Sequence, residues 1–464
     1  MSEQIRRDQV AIAFSGAQAG TAPLTWGQKA IWQDIQDNRD QFSMFGSLSL
    51  PEHSTVASVT AQLAELIVAH DALRTRLRTG PGNRLYQQAA GSGEIGLDIW
   101  TLPGNADRVN RARCLEHLIT TWSVAPFDFH RDWPLRVALI TQRGARLHLV
   151  WVLSHLAGDG TANMSLLRAL ALGEAQRGAA GGPRPQQILD IAASEQQPQL
   201  AQLSNRSMRY WESALSNIPA LAFGEPARSE GRAGHRYWQV RFSSAAAHLA
   251  IAAIAKRTGT DISRVTLAVI ATAIGRATGV HPLTVNMMVS NRFRPGLADV
   301  FAPIAQNSVV TIDVADISID AVVAQVRSAS LTAGMRAYYD PDDLKKVIAR
   351  SDAERGYPAR VSCRFNDQRA LIRAANETRT GDVTQEQVRP RLAETSLTWH
   401  HPLDHLHDQV SIVVTNRPDA LSLYLKCDLW SLPGDRVEAL LRAVEEVAVE
   451  AAFDPAAPTK VTGR

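Results

Sequence analysis

The stretch VWVLSHLAGDGTANMSLLRAL, residues Val150–Leu170, carries the strongest structural signal in the chain. Its opening residues are apolar and largely β-branched, which predicts a buried strand. The strand delivers Ser154 and His155 to its end, and Asp159 follows in a tight turn between two glycines. Glycine permits unusual dihedrals and close backbone approach. The sequence therefore places a histidine at a strand end, just before a turn and a helix.

Local patterns on either side predict a hairpin and two helices. Leu135–Ile140 and Leu147–Leu153 resemble antiparallel strands joined at QRGAR. Thr161–Ala171 has helical spacing, and its predicted buried residues are Met164, Leu167 and Leu170. A further helix is predicted over Val56–Arg78, whose apolar residues fall near one face: Val59, Leu63, Leu66, Ile67 and Leu73.

The residues alone leave two interpretations of His155 open. An imidazole has an unperturbed pKa close to 7, so it can accept a proton from an amine or a hydroxyl near neutral pH. A histidine in this position can equally be a core residue with satisfied hydrogen bonds. Asp159 has the same ambiguity, because it could orient the imidazole or cap the following helix.

Composition indicates a soluble globular protein with two or more domains. The chain has 464 residues, of which 45% are apolar and 20% charged. It contains neither a long apolar run typical of a membrane span nor a signal-peptide pattern. The net charge is +3, and no basic run suggests nucleic-acid binding. Three widely spaced cysteines, Cys114, Cys363 and Cys427, argue against a disulfide framework and favour a cytoplasmic location.

The best linker candidate is the Gly-, Pro- and Ala-rich segment Gly173–Gln187. Beyond it, the strings HRYWQVRFS, LTVNMMVSNR and VSCRFNDQ predict strands, and DQVSIVVTNRPDALSLYLKCD predicts a hairpin. Two helices are predicted to break at Gly259, with Asp261 or Ser263 capping the second, and an amphipathic helix closes the chain. Because βαβ alternation is irregular, we predict an α+β fold of two lobes, residues 1–185 and 186–464.

Three common enzyme signatures are missing from the sequence. There is no phosphate-binding G-x-x-x-x-G-K-[ST], no G-x-G-x-x-G between a strand and a helix, and no G-x-S-x-G elbow. Kinase, dehydrogenase and standard hydrolase functions are therefore not indicated.

SHLAGDG resembles the H-H-x-x-x-D-G signature of the condensation-domain superfamily of nonribosomal peptide synthetases. Chloramphenicol acetyltransferase and the plant BAHD acyltransferases have related signatures. Further stretches resemble family motifs in the family's order, over nearly the whole chain. They are LTWGQKAIW (Leu24–Trp32), AHDALRTRL (Ala69–Leu77), FDFHRDWPLRVALI (Phe127–Ile140), RYWESAL (Arg209–Leu215) and SNRFRPGLADVFAPIAQNSVV (Ser290–Val310).

The resemblance implies two chloramphenicol-acetyltransferase-like lobes that form a V-shaped pseudo-dimer with an active-site tunnel between them. It implies an acyltransferase of specialised metabolism, such as nonribosomal peptide or antibiotic biosynthesis. An acyl or aminoacyl group would arrive on the phosphopantetheine of an acyl or peptidyl carrier protein. A small-molecule or tethered amine or alcohol would attack the thioester. No metal or other bound cofactor, nucleic acid or membrane is implied.

The resemblance also assigns roles to individual residues. His155 matches the catalytic histidine, and Gly160 matches the glycine whose backbone N–H can face the developing oxyanion. Asp159 matches an aspartate that pairs with an arginine, here Arg292, and holds the loop. Asn307 matches the asparagine of the motif over Ser290–Val310. The segment before that asparagine departs from the family, because APIAQNS lacks the usual Gly-x-Phe.

Ser154 stands where the family has its first histidine. A serine hydroxyl still donates and accepts hydrogen bonds. Alternation along a strand would point Ser154 and His155 to opposite faces, unless the strand ends before them. The retained His155 and Gly160 favour an enzyme. The serine favours an alternative, a catalytically silent protein that docks carrier proteins or other synthetase components.

A second histidine group occurs in WHHPLDHLHD, with His400, His401, His405 and His407. Zinc would require histidines at helical or hairpin spacing with partners behind them, and Pro402 argues against a helix. We expect a solvated or tunnel-rim loop rather than a metal site.

Overall fold

The computed structural model describes residues 5–38, 43–142, 147–172, 185–219, 221–226, 232–358, 360–369 and 383–463. The chain has a two-lobe α+β fold and forms two compact units. The first unit contains Met1–Gln202, Ser290–Gln306 and Asp340–Asp342, and the second contains the rest. Neither unit is one uninterrupted segment, and the division predicted from sequence, 1–185 and 186–464, stays a prediction. No described helix is both long enough and apolar enough to span a membrane.

The first unit is built on two sheets. The five-stranded sheet has the order β1-β6-β7-β8-β3, and the three-stranded sheet has the order β2-β5-β4. The strands are β1 (Arg6–Phe14), β2 (Gly20–Pro23), β3 (Met44–Ser49), β4 (Thr75–Thr79), β5 (Leu85–Ala89), β6 (Gly93–Thr101), β7 (Leu135–Thr141) and β8 (His148–Leu153). The helices are α1 (Trp26–Asn38), α2 (Val56–Ala69), α3 (Arg108–Val124), α4 (Gly160–Leu172) and α5 (Ile188–Glu195).

The hairpin predicted before the histidine is confirmed. β7 and β8 pair antiparallel, with Val137 opposite Trp151. Residues 149–153 are all buried, because β8 lies inside the sheet between β7 and β3. The turn predicted at QRGAR lies largely outside the described residues. Most of the linker predicted over Gly173–Gln187 also lies outside them. The helix α4 is also confirmed, but Leu170 alone of its three predicted buried residues is fully buried.

The helix predicted over Val56–Arg78 is too long. The helix α2 ends at Ala69, a short 3-10 turn follows, and the chain continues as β4. The cause is Arg74, whose side chain is fully buried and donates to the Asp71 carboxylate at 2.5 Å and to the backbone carbonyl of Gln18 at 2.7 Å. These buried hydrogen bonds require the chain to leave the helical path, which periodicity alone does not reveal.

The second unit contains a seven-stranded sheet of order β11-β10-β12-β14-β15-β9-β13. Its strands are β9 (Tyr237–Ser244), β10 (Leu283–Val289), β11 (Gln306–Ile312), β12 (Cys363–Asp367), β13 (Ser396–Leu403), β14 (Val410–Thr415) and β15 (Leu421–Asp428). Its helices are α6 (Pro198–Leu215), α7 (Ala245–Thr258), α8 (Ile262–Thr278), α9 (Ile319–Met335), α10 (Pro341–Arg355), α11 (Gln385–Val388) and α12 (Gly434–Phe453). The first residues of α6 and α10, like Gln306 of β11, are assigned to the first unit.

The helices predicted on either side of Gly259 are confirmed. Gly259 has a φ of +59°, in the left-handed region that glycine adopts at low cost, and it ends α7. Asp261, one of the two predicted caps, accepts a hydrogen bond from the backbone N–H of Arg264 at 3.1 Å. Helices α7, α8, α9 and α12 bury their apolar faces in one core with the sheet. The three predicted strands and the β14–β15 hairpin are also present.

Gly27 of α1 marks a close backbone approach within the first unit. A Cβ atom at this position would lie 1.7 Å from the carbonyl oxygen of Pro303. We expect Gly27→Ala to lower the free energy of unfolding by about 1–3 kcal/mol or more, since a backbone atom must move to admit the methyl group. Gly104→Ala is the matched control, because a Cβ there meets no atom within 4 Å. Equal urea midpoints for the two variants would contradict the prediction.

Candidate functional site

The turn after β8 begins with Ser154. Its N–H donates to the carbonyl of Pro134 at 2.8 Å, and its own carbonyl accepts from Ala157 at 3.0 Å. Its hydroxyl accepts a long hydrogen bond of 3.3 Å from the N–H of Leu156. The strand therefore ends at Leu153, so strand alternation does not set the direction of Ser154.

Ser154 nevertheless points into the interior, since it is 0% exposed. It lines a cavity of about 20 Å³ together with residues that include Gln28, Thr75 and Phe129. A cavity of that size holds about one water molecule. The space beside the hydroxyl is thus too small for an additional ring.

His155 occupies the turn itself and is half-buried. Its Nδ1 atom is enclosed and makes no hydrogen bond within the described part of the chain. Burial lowers the pKa of His155 below its ordinary value of 6.5. The backbone of His155 and the carboxylates of Asp159 and Asp34 act in the opposite direction, but burial outweighs them. Burial therefore favours the neutral form of the imidazole, which is the form that can accept a proton.

Asp159 is held by four donors. One carboxylate oxygen accepts from the N–H of Ala162 at 3.0 Å and from Nη2 of Arg292 at 2.7 Å. The other accepts from the N–H groups of Ile304 and Ala305, at 3.0 and 3.2 Å. The carboxylate therefore caps α4 and binds Arg292, and none of these donors is the imidazole. Of the two sequence interpretations, this geometry supports the capping role.

Arg292 organises the segment that carries it. Its guanidinium also donates to the backbone carbonyls of Val300 and, at 3.0 Å, Ala302. Asn291 before it adopts a φ of +58° and donates to the carbonyl of Ile304 at 3.1 Å. The expected ion pair is present, with side chains 4% exposed for Asp159 and 12% for Arg292.

The two turn glycines have separate structural settings. A Cβ at Gly158 would lie 2.7 Å from the Cβ of Ala162, so the predicted close approach occurs there. Gly160 is the first residue of α4. The first N–H groups of a helix have no partner within the helix, and they lie at its positive end. Neither glycine has a positive φ, so the turn does not use the left-handed region that glycine permits.

Asn307 is the one predicted site residue that belongs to the second unit. It lies on β11, and its backbone carbonyl accepts a hydrogen bond from the Tyr339 hydroxyl at 2.9 Å. Its side-chain Oδ1 is buried and makes no hydrogen bond to any described residue. The structure brings Ser154, His155, Asp159 and Arg292 together in the first unit.

The histidine-rich segment is a strand for half its length, not the loop that the sequence suggested. His400 and His401 belong to β13, which pairs with β9 through a register shift between Trp399 and His401. Backbone pairing with β9 overrides the local turn signal at Pro402. Among the described residues, no group of three or more possible ligand side chains is arranged to hold a metal ion.

Breaking the buried ion pair should destabilise the first unit. We expect Asp159→Ala and Arg292→Ala each to reduce the free energy of unfolding by about 3–5 kcal/mol, because each leaves a buried charge unpaired. Glu394→Ala is the control, since Glu394 pairs with Arg391 on the surface, where both are about half exposed. Its loss should cost less than about 1 kcal/mol. Urea titrations that place all three variants at the wild-type midpoint would rule the effect out.

Comparisons with known proteins show the family of the chain. Residues 18–380 match the family described as the condensation domain. The chain is 26% identical over 331 residues to the probable non-canonical nonribosomal peptide synthetase CymA of Salinispora arenicola, a match covering 67% of this chain and 4% of that protein. Matches to other synthetases cover between 2% and 30% of their length. The chain thus spans a minor part of these relatives.

Solved structures show the same fold. The X-domain from teicoplanin biosynthesis superposes with a TM-score of 0.68 at 19% identity, covering 95% of this chain and 97% of that one. The first condensation domain of the calcium-dependent antibiotic synthetase, in complex with a substrate analogue, gives 0.67 at 19% identity, covering 96% and 99%. Because the family match spans well over half of its residues, the chain belongs to the condensation-domain family of nonribosomal peptide synthesis.

Proposed function

We propose that this condensation domain transfers an acyl or aminoacyl group from the phosphopantetheine thioester of a carrier protein to an amine or alcohol. The observation that carries the proposal is His155, an imidazole kept neutral by burial in a turn that leads directly into α4. A neutral imidazole beside a strand end is a competent proton acceptor. The carrier protein is the proposed partner, and the cytoplasm the proposed location.

The reaction needs two proton transfers, to and from the imidazole, and the exchange of a carbon–sulfur bond for a carbon–nitrogen or carbon–oxygen bond. The acceptor nitrogen or oxygen attacks the thioester carbon, and His155 takes the proton that the nucleophile loses. The tetrahedral intermediate then expels the pantetheine sulfur, which leaves with that proton as a thiol. Holding both reactants beside one base contributes through proximity as well as proton transfer. No bound cofactor or metal is proposed, because each atom and proton is accounted for by substrate and imidazole.

The backbone N–H of Gly160 is the proposed oxyanion donor. It lies at the first position of α4, where the N–H groups lack partners within the helix. The positive end of the helix dipole favours negative charge at that point. Preorganised backbone donors of this type stabilise the tetrahedral intermediate of acyl transfer. Asn307 stays a proposed supporting residue, and its unpartnered Oδ1 is compatible with contact to a substrate donor.

We propose that Asp159 supports catalysis only by holding the turn that contains His155. Its carboxylate is saturated by α4, Arg292 and the 304–305 backbone, so it is not available as the orienting partner of His155. His155 would then act as a single base. A loss of Asp159 should move the turn and α4 together, rather than change the tautomer of the imidazole.

One observation favours a second candidate, a silent domain that docks carrier proteins or other synthetase components. The Nδ1 atom of His155 has no hydrogen-bond partner among the described residues, and Ser154 faces the interior. A general-base histidine normally has one ring nitrogen fixed by an acceptor. Activity of wild-type protein with any loaded carrier and acceptor decides against this candidate.

The base assignment predicts a large loss on removing the imidazole. His155→Ala should lower turnover by about 10² or more with the fold intact, since a general base contributes typically 10²–10⁴. The assay combines acyl-loaded carrier protein with a panel of amines and alcohols and detects products by mass spectrometry. His148→Ala is the control, because His148 is another half-buried histidine, on β8, whose pKa burial also lowers.

The pH profile separates a base from a structural histidine. Burial lowers the pKa of His155, so the neutral, active form persists through pH 7 and is lost only on the acid side. The acid limb of kcat/KM should therefore have an apparent pKa below 6.5. Equal single-turnover rates for wild type and His155→Ala at pH 7 would refute the assignment.

Ser154 is expected to be a bystander. Within the described part of the chain, the Ser154 hydroxyl bonds only the N–H of Leu156, so Ser154→Ala should lower the rate by less than about fivefold. Ser154→His should lower the free energy of unfolding by about 1–3 kcal/mol, because an imidazole ring overfills the small cavity beside the hydroxyl. Activity of Ser154→Ala as low as that of His155→Ala would place the hydroxyl in the catalytic machinery.

A further inference from the structure

One side of the seven-stranded sheet is polar where β15, β9 and β13 meet. Side chains alternate along a strand, so each strand presents one set of residues to each side. The residues that face the helix-packed core there are apolar and buried: Val240, Phe242, Leu423 and Leu425. The intervening positions therefore lie on the other side of the sheet, where Gln239, Arg241, Tyr424 and Lys426 are half-buried and those of β13 are exposed.

Strand register places basic and polar side chains next to one another on this second side. Arg241 lies opposite Tyr424, and Gln239 lies opposite Lys426. On its other flank, Gln239 lies opposite His401 of the edge strand β13. Residues directly opposite have Cβ atoms about 4.5–5.5 Å apart, and diagonal neighbours are within reach of long side chains. Gln239 is therefore flanked by an ammonium group and an imidazole, with a guanidinium two residues farther along its strand.

The irregular pairing of β13 adds a second imidazole to this group. The extra residue at the register shift is His400, and its Nδ1 lies 2.5 Å from Nδ1 of His401. The His400 ring also contacts Tyr424 edge to face, with centroids 6.4 Å apart. The guanidinium of Arg241 lies 6.0 Å from the centroid of the same tyrosine. These contacts join Arg241, Tyr424 and the two imidazoles, and strand register places Gln239 and Lys426 next to them.

The cluster concentrates positive charge. Arg241 forms no ion pair with any carboxylate in the described ranges. The pKa of His401 is lowered first by its partial burial and then by the positive charges of His400 and Lys426. Arg241 and Lys426 are the permanently charged groups of the cluster, and an anion between a guanidinium and an ammonium group is attracted by both.

We infer that this basic cluster, formed by Gln239, Arg241, His400, His401 and Lys426, binds a phosphate group. A guanidinium fork, an ammonium group, imidazole N–H groups and a side-chain amide supply donors from three adjacent strands. A phosphate presents three or more oxygens and up to two negative charges, whereas a carboxylate presents two oxygens and one charge. The phosphate matches the number and spread of the donors better.

Two sources share this chemistry: inorganic phosphate itself, and a free small molecule that carries a phosphomonoester. The phosphodiester of a carrier-bound phosphopantetheine arm has only two unesterified oxygens and one charge, as a carboxylate does. The inference uses none of the residues assigned to acyl transfer and does not depend on that activity. Both sources are tested on the full chain by calorimetry, with inorganic phosphate and with 4′-phosphopantetheine as probes. Each titration is repeated at higher ionic strength, where binding should weaken.

Arg241→Gln and Lys426→Gln should each weaken binding by about tenfold or more, since each removes one charge-assisted contact. Arg417→Gln is the matched control, because Arg417 lies on the exposed β14–β15 turn and removes the same charge from the same unit. Its affinity should equal that of the wild type. Circular dichroism and thermal melts verify that all three variants remain folded.

A nuclear magnetic resonance titration of the histidine rings gives a second readout. Bound phosphate should raise the pKa of His401, because it adds negative charge beside a ring whose pKa the neighbouring His400 and Lys426 lower. Tighter binding of 4′-phosphopantetheine than of phosphate assigns the site to a phosphorylated small molecule, and equal or weaker binding assigns it to inorganic phosphate. Absence of saturable binding for both probes, or unchanged affinity in both Gln variants, overturns the inference.

Discussion

The buried pair between Asp159 and Arg292 is the interaction on which the candidate site depends. The carboxylate is almost wholly removed from water and is compensated by a guanidinium and three backbone N–H groups. A buried charge is tolerated only when it is paired and hydrogen-bonded in this way. The pair joins the start of α4 to a segment more than a hundred residues later in sequence. The position of the turn that contains His155 is thus set by electrostatics as much as by apolar packing.

Apolar packing fixes the other side of that turn. β8 is buried from Leu149 to Leu153, and Trp151 donates from its indole N–H to Asn163 of α4 at 2.9 Å. The strand and the helix are therefore joined both by the core and by a polar contact. The backbone of His155, which lies between the strand and the helix, therefore has little freedom to move. The same enclosure lowers its pKa, so the packing that holds the residue also sets its protonation state.

Much of this architecture was predictable from sequence, and the failures have physical causes. The β7–β8 hairpin, α4 and the break at Gly259 follow from local periodicity and glycine chemistry. The pair of Asp159 with Arg292 was reached only through a family resemblance, because no local pattern links residues so far apart. The end of α2 and the strand at His400 were predicted wrongly, since a buried arginine and backbone pairing decide them. Nothing in the sequence except the glycine itself indicates that the backbone of Gly27 lies so close to Pro303.

The first unit is formed by separate segments of the chain, and this affects both how the protein folds during synthesis and how it can be truncated. Residues 290–306 complete that unit, so a ribosome must synthesise 133 residues beyond Asp159 before Arg292 can reach it. Until then a nascent N-terminal portion carries an uncompensated carboxylate at the start of α4, and such long-range closure slows folding. A fragment truncated at residue 202 retains that defect permanently. Engineers who exchange lobes between synthetases would therefore need to move the 290–306 segment together with the N-terminal portion.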